Sequence, residues 1–169
     1  MILRILRGHA ANHDLGRLVD AVRLDLDDWT AIDAGPTWAQ PSFRSTSDGA
    51  EFLLTSLWPS AEAVLAQGGD VSEPRGRLAA SGLLRDARAQ HYELVLEGSA
   101  GPMARCELVR LSSIELVARR SSAFYEHVRQ LWDELSRDVG LVALRVGRRV
   151  SADGEQAVVV SAWETGAML

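Results

Sequence analysis

The sequence predicts an α+β protein made of two unequal copies of one β-α-β-β unit. Three observations carry that expectation. The 169 residues, 47 % hydrophobic and 24 % charged, are enough for one globular domain or two small ones with a real core. Apolar residues alternate along some segments and recur at helical spacing along others, in a fixed order. The third observation is internal: a shift of 105 residues (163 less 58) pairs Trp58 with Trp163 and Ser56 with Ser161. Without a gap, the same shift pairs Asp48-Gly49 with Asp153-Gly154, Arg44 with Arg149, Gly35 with Gly140, Asp33 with Asp138, Asp28 with Asp133 and Leu26 with Leu131. Matches at Gly, Asp-Gly and Trp are informative because those residues are rare or fixed by backbone geometry.

In chain order, Ile2 to His9 is mostly apolar and reads as a strand, after which Asn12 is placed to cap a helix with Asp14 in its first turn. Leu15, Leu18, Val22, Leu26 and Trp29 follow at helical spacing, with Asp20, Arg23, Asp27 and Asp28 turned outward. Gly35-Pro36 breaks the chain; Thr37 to Arg44 is a strand, Ser47-Asp48-Gly49 a hairpin turn, and Glu51 to Trp58 the returning strand. Pro59 stands at the first position of a second helix that stops at Gly68-Gly69. A further short helix is expected around Pro74 to Leu84, then a closing strand from His91 to Glu97. On that strand Tyr92, Leu94 and Leu96 share one face, and His91, Glu93 and Glu97 the other.

The second copy repeats the opening of this order. Cys106 to Leu116 is a strand, and Ser121 or Ser122 caps a helix carrying Phe124, Val128, Leu131, Trp132 and Leu135. Leu141 to Val150, the turn at Ala152-Asp153-Gly154, and Gln156 to Trp163 form the hairpin. Gly98 to Pro102 is a linker by composition. The order β-α-β-β-α-β is the split βαβ, or ferredoxin-like, arrangement. The expected organisation is a complete unit over 1–98, a linker over 99–105, and a shortened unit over 106–169 that lacks the last helix and strand. A sheet with helices on one face must cover the other, and a homologous sheet of this chain or of a second copy provides that cover.

Composition removes several functions. The net charge is −5, and the 18 basic residues, all Arg, form no patch, so nucleic-acid binding by phosphate neutralisation is not expected. The absence of Lys excludes Schiff-base chemistry, pyridoxal-phosphate anchoring and a P-loop lysine. The single Cys106 can make neither an internal disulfide nor a thiolate metal cluster, and it suits a reducing compartment. No apolar run reaches membrane-spanning length, and Met1 to Gly8 lacks the order of a signal peptide, so a cytoplasmic protein with no membrane partner is expected. No G-x-S-x-G elbow or phosphate-binding glycine pattern occurs. His9 and His13 are four residues apart, but one is placed on a strand and the other at a helix start, so no metal site is expected.

The opening strand, amphipathic helix and hairpin, the run Ser56-Leu57-Trp58-Pro59-Ser60-Ala61-Glu62-Ala63, and the late strand opening His91-Tyr92-Glu93 resemble the antibiotic biosynthesis monooxygenase superfamily. The resemblance covers nearly all of copy one and, more weakly, copy two. It implies antiparallel sheets packed as a dimeric α/β barrel, and a small cavity between sheet and helices. In some members that cavity oxidises anthrones or quinols with molecular oxygen and no metal or flavin, so no cofactor is implied. Haem-degrading members use an Asn on the first strand and a His in or after the helix following the Trp. Here the sole Asn is Asn12, placed past the strand, and no His lies between Trp58 and Gln90, so haem ligation is not expected.

On this reading Trp58 corresponds to a tryptophan that helps shape the pocket, although its duplication as Trp163 is better explained by core packing. His91 is the candidate proton acceptor, because imidazole titrates near neutrality, with Asn12 the second candidate catalytic residue. His9 and Tyr92 join Trp58 as candidate substrate-binding residues. The expected activity is cofactor-independent oxidation of a small anthrone- or quinol-like aromatic; the alternative is a non-catalytic ligand-binding or oligomerisation module. The expected partners are that small aromatic molecule and a second copy of the chain.

Overall fold

A computed structural model describes residues 1–31, 33–66, 81–101, 106–137 and 140–164, with the backbone alone at Thr30 and Ala118. The chain forms two compact units, Met1–His91 and Tyr92–Leu169. The first holds strand β1 (Ile2–Ala11), helix α1 (Leu15–Thr30), strands β2 (Trp38–Ser45) and β3 (Gly49–Trp58), helix α2 (Ala61–Ala66) and the start of strand β4 (Arg85–Ser99). The second holds the rest of β4, strand β5 (Leu108–Leu116), helix α3 (Ser121–Leu135), and strands β6 (Leu141–Ser151) and β7 (Gly154–Trp163). The architecture is α+β with antiparallel strand pairs. Among the described residues no helix is long and apolar enough to cross a membrane.

In the first unit the strands lie in the order β2-β3-β1-β4, which is the split βαβ order. Leu18, Val22 and Trp29 bring the apolar stripe of α1 onto Leu6 and Ala10 of β1 and Phe52, Leu54 and Trp58 of β3. Asn12 does not cap this helix. It sits in a one-turn 3-10 segment, Asn12–Asp14, ahead of α1, and neither segment has a side-chain cap. Helix α2 starts two residues after Pro59, and there the Ser60 hydroxyl accepts the Ala63 N–H at 3.2 Å, a cap of about 1 kcal/mol.

Gly49 opens β3 where it faces Ala11, and a Cβ there would stand 1.9 Å from the Ala10 carbonyl oxygen. Backbone, unlike a side-chain tip, cannot move aside cheaply, so Gly49→Ala is expected to cost about 2–3 kcal/mol. Urea unfolding checks this; a midpoint equal to that of the parent protein would show that the hairpin yields without strain.

In the second unit the order is β4-β6-β7-β5. Val128, Leu144 and Val146 form its core with Leu96, Phe124, Tyr125, Trp132 and Val159. Leu131 and Leu135, expected on the buried stripe, are 36 % and 37 % exposed, and Tyr125 packs in the cluster instead. No side chain caps α3; a 3-10 turn, Ala118–Arg120, precedes it.

Strand β4 corrects two expectations. Gly98 and Ser99, placed in a linker by composition, are its last residues, because Gly98 lies against the Trp132 ring, where a Cβ would come within 2.3 Å. Its pairing with β6 steps from Leu94↔Gly147 to Leu96↔Val146, leaving Val95 as the extra residue of a bulge. A bulge interrupts alternation, so Leu96 joins the helix-side core while Tyr92 contacts the Gly147 position on the other face. Of the short helix expected at Pro74 to Leu84, residues 74–80 lie outside the described residues, and 81–84 are not helical. Residues 102–105 of the expected linker also lie outside them.

The two units agree in hydrogen-bond register. Trp38↔Leu57 in the first matches Ala143↔Ala162 in the second, an offset of 105 (143 less 38). Ahead of the hairpin the offset is 106: Ile2↔Trp58 matches Leu108↔Trp163, and α1 and α3 begin at Leu15 and Ser121. The ungapped pairs Leu26 with Leu131 and Asp28 with Asp133 are therefore one residue out of register; Asp25 is the residue that corresponds to Leu131.

Candidate functional site

Along β1 the side chains alternate, so Ile2, Arg4, Leu6 and Ala10 face the helices of the first unit. Arg4 is a charge in the middle of that apolar row and is 8 % exposed. Ser56, its cross-strand partner, is 1 % exposed, and its hydroxyl accepts the Trp58 indole N–H at 2.9 Å. Trp58 is fully buried and meets Trp29 edge to face, with ring centroids 5.4 Å apart. The Arg4 guanidinium carbon stands 5.9 Å from the centroid of Trp29, within cation–π range.

Helix α1 delivers a charge of opposite sign. Asp25 follows Leu18 and Val22 on the buried stripe, one turn before Trp29, and is 4 % exposed. Burial holds the Arg4 guanidinium below its usual pKa, and the Asp25 carboxylate offsets only part of that. An arginine so placed keeps its proton at neutral pH. The first unit thus buries an arginine and an aspartate of opposite charge, at a cost in desolvation.

His91 completes the group. Ala87 and Ala89 of β4 pack in the α1 core, and strand alternation puts His91 on their face. Burial first, and the Arg4 charge second, push its pKa down to about 4, so the imidazole is neutral at physiological pH. Its Nε2 is buried with no hydrogen-bond partner among the described residues, and the same is true of Arg4 Nε.

Of the five residues expected at the site from sequence, the structure brings His91 and Trp58 to this helix face and places the other three elsewhere. His9 lies on the opposite face of β1 at the hairpin end, 3.5 Å from the Asp48 carboxylate. Asn12 is exposed in the 3-10 turn. Tyr92 belongs to the second unit, where its hydroxyl donates to Gln156 at 3.0 Å and its ring lies 5.7 Å from the Arg149 guanidinium. His13 is 80 % exposed beside Asp14. Among the described residues no three His, Cys, Asp or Glu side chains gather as metal ligands.

The sequence places Trp29 on the apolar stripe of the helix but marks neither it nor Arg4 and Asp25 as site residues, although a signal for them exists. Leu18, Val22, Asp25 and Trp29 are spaced four, three and four apart, so an acid occupies a core position of an otherwise apolar stripe. Arg4 is its counterpart inside an apolar strand.

The second unit shows which of these features belong to the fold. The Trp163 indole donates to Ser161 at 3.0 Å, repeating the Trp58–Ser56 bond, and Arg110 faces Ser161 as Arg4 faces Ser56. Arg110, however, is exposed, and Leu131 and Leu135 stand where the first unit has Asp25 and Trp29. Two side-chain pairs of the second unit are joined: Tyr125 donates to Glu155 at 2.8 Å and Arg148 to Glu93 at 2.6 Å, while Ser121 Oγ is buried without a partner among the described residues. Burial and then Glu155 drive the Tyr125 phenol upward in pKa, as befits a structural donor.

No family model matches the chain, and no curated protein matches it in sequence. Solved structures do match in shape. A protein from Fusobacterium nucleatum subsp. nucleatum ATCC 25586, provisionally named a monooxygenase, superposes with TM-score 0.76 at 7 % identity, covering 99 % of this chain and 77 % of that one. The chain has the antibiotic biosynthesis monooxygenase fold. A second provisionally named monooxygenase of this fold, from Lactobacillus acidophilus NCFM, gives TM-score 0.74 at 11 % identity, covering 99 % of this chain and 78 % of that one. A protein described as anthrone oxidase-like gives 0.62 at 10 % identity, with 99 % and 75 % covered. At such identities the fold alone is shared.

Proposed function

We propose that the helix face of the first unit is a cofactor-free oxidation site for a small electron-rich aromatic, an anthrone or a hydroquinone, with molecular oxygen as oxidant. The observation that carries this reading is the neutral His91, whose buried Nε2 has no partner among the described residues and which shares a strand face with Ala87 and Ala89, residues that pack in the core holding Trp29 and Trp58. Such a reaction needs a base, a hydrogen bond and a dry surrounding, since the electrons come from the substrate itself. The structural neighbours named as monooxygenases and as anthrone oxidase-like support the reading. So does the absence of an Asp25–Trp29 equivalent in the second unit, which suits one site per chain. We read the chain further as two related ferredoxin-like units, the second shortened, supported by their common strand register.

For an anthrone, His91 Nε2 takes one proton from the methylene carbon, and the resulting carbanion spreads its charge onto the ring carbonyl oxygen. One electron passes to oxygen, giving superoxide and a carbon radical, which combine in a new C–O bond. The peroxide anion recovers its proton from the His91 imidazolium. Loss of the remaining C–H proton with cleavage of the O–O bond releases water and leaves a carbonyl. The sum is CH₂ plus O₂ giving C=O plus H₂O.

Oxygen uptake by chelator-treated protein over a panel of anthrones and hydroquinones tests the reading. Uptake well above the spontaneous rate, unaffected by chelator, is expected. Uptake that never exceeds the spontaneous rate would shift the conclusion to a ligand-binding module on the same fold.

A further inference from the structure

We propose that Arg4 is an oxyanion-binding residue that makes the site of the first unit selective for aromatics carrying an ionisable hydroxyl, bound as phenolate or enolate. This deepens the reading above and rests on it for the location of the site, not for catalysis.

Arg4 sits on the helix face of β1 against Trp29, is more than nine-tenths buried, and has its Nε without a hydrogen-bond partner among the described residues. An N–H in that state gains most from a charged oxygen, because charge-assisted hydrogen bonds are shorter and about twice as strong as neutral ones. Asp25 is an acid on the packed helix, yet burial still outweighs its effect on Arg4. The Arg4 Nε–H is the atom left to receive an anionic oxygen, and Trp29 is the aromatic ring packed beside the guanidinium.

His91 supplies the matching acceptor. Its buried Nε2 also lacks a partner among the described residues, and its imidazole is close enough to Arg4 to feel that charge. A ligand that places O⁻ at Arg4 and leaves its proton on Nε2 satisfies both atoms at once. The anion also offsets the Arg4 charge, which after burial is the second cause of the neutral His91, so phenol ionisation and imidazole protonation favour each other. Among the described residues the ionisable groups facing this site are Arg4 on β1, Asp25 on α1 and His91 on β4; the β3 side chains there, Ser56 and Trp58, do not titrate near neutrality. The second unit provides an internal contrast: Arg110 has the same register but is exposed, with leucines at the Asp25 and Trp29 positions.

The test uses 4-nitrophenol, which absorbs in the visible only as phenolate, at a pH where it is mostly un-ionised in solution, beside 4-nitroanisole as a non-ionising ring of similar shape. The full chain is expected to raise the phenolate band and to bind nitrophenol at least about tenfold more tightly than nitroanisole. Arg4→Gln should abolish the band and weaken nitrophenol binding about 10- to 100-fold, leaving nitroanisole unchanged. Asp25→Asn should strengthen the band, because a competing negative charge is removed. That second variant keeps the test decisive if Arg4→Gln fails to fold. Equal binding of the two rings, no binding of either to folded protein, or an Asp25→Asn variant with a weaker band would overturn the proposal. An intact band without catalysed oxygen uptake would sink the oxidase reading and leave this one standing; uptake without the band would do the reverse.

Discussion

Replacing His91 by alanine is expected to lower kcat/KM for anthrone oxidation by about a hundred- to ten-thousand-fold, the range for loss of a positioned general base. The pH profile distinguishes this from a packing defect. The imidazole is held near 4, so the acid limb of kcat/KM is expected near that pH, with a plateau through neutrality. Once an anionic ligand offsets Arg4, the imidazolium is easier to form, and the limb in kcat should sit higher than the limb in kcat/KM. In His91→Ala both limbs lose this component. Stability supplies an independent readout with a defined sign. The folded pKa is below the usual 6.5, so the unfolded chain takes up the proton first and stability falls as pH drops from about 6.5 toward 4. His91→Ala should flatten that part of a thermal melting profile. A variant with unchanged activity and an unchanged acid limb would remove His91 from the mechanism.

Trp58→Ala is expected to have the largest effect on stability. The side chain is fully buried, packs on Trp29, and donates to Ser56 in the core. Truncating a buried tryptophan costs about 3–5 kcal/mol, which in a domain of this size lowers the melting temperature by roughly 6–20 °C. The same change strands the buried Ser56 hydroxyl. Trp58→Phe keeps most of the ring and loses only the indole hydrogen bond, so about 1–2 kcal/mol is expected. Trp163→Ala in the second unit should resemble Trp58→Ala in stability without touching the site, since its Ser161 bond is equivalent and it is 8 % exposed. Lost activity in Trp58→Ala therefore reports on the pocket only when Trp58→Phe, which remains folded, loses it too. Equal melting temperatures for Trp58→Ala and the parent protein would contradict this account of the core.

By itself the sequence determined the element order, both hairpins and most of the apolar stripes, since these follow from local chemistry: alternation for β3 and β7, helical spacing for α1, Asp-Gly at the turns. Ser56-x-Trp58 and Ser161-x-Trp163, paired by the sequence, make the same indole-to-serine hydrogen bond at the end of a hairpin strand. The residues at which the reading failed are those whose state depends on distant neighbours. The bulge at Val95, which turns Leu96 away from Tyr92, is imposed by pairing with β6. Gly98 belongs to a strand because Trp132 covers it. The one-residue difference between offsets of 105 and 106 shows only in cross-strand register.

The site was legible in part. His91 is a candidate base from residue type alone, but its neutral state arises from burial and from Arg4, which lies 87 residues away in the chain (91 less 4). Asn12, His9 and Tyr92 looked equally chemical in the sequence; the tertiary structure dispersed them to a solvent-facing turn, the other sheet face and the second unit. Only the tertiary structure joins Arg4 of a strand to Asp25 of a helix, because desolvation and electrostatics act through space and strand pairing, not chain distance, decides which charges are buried together.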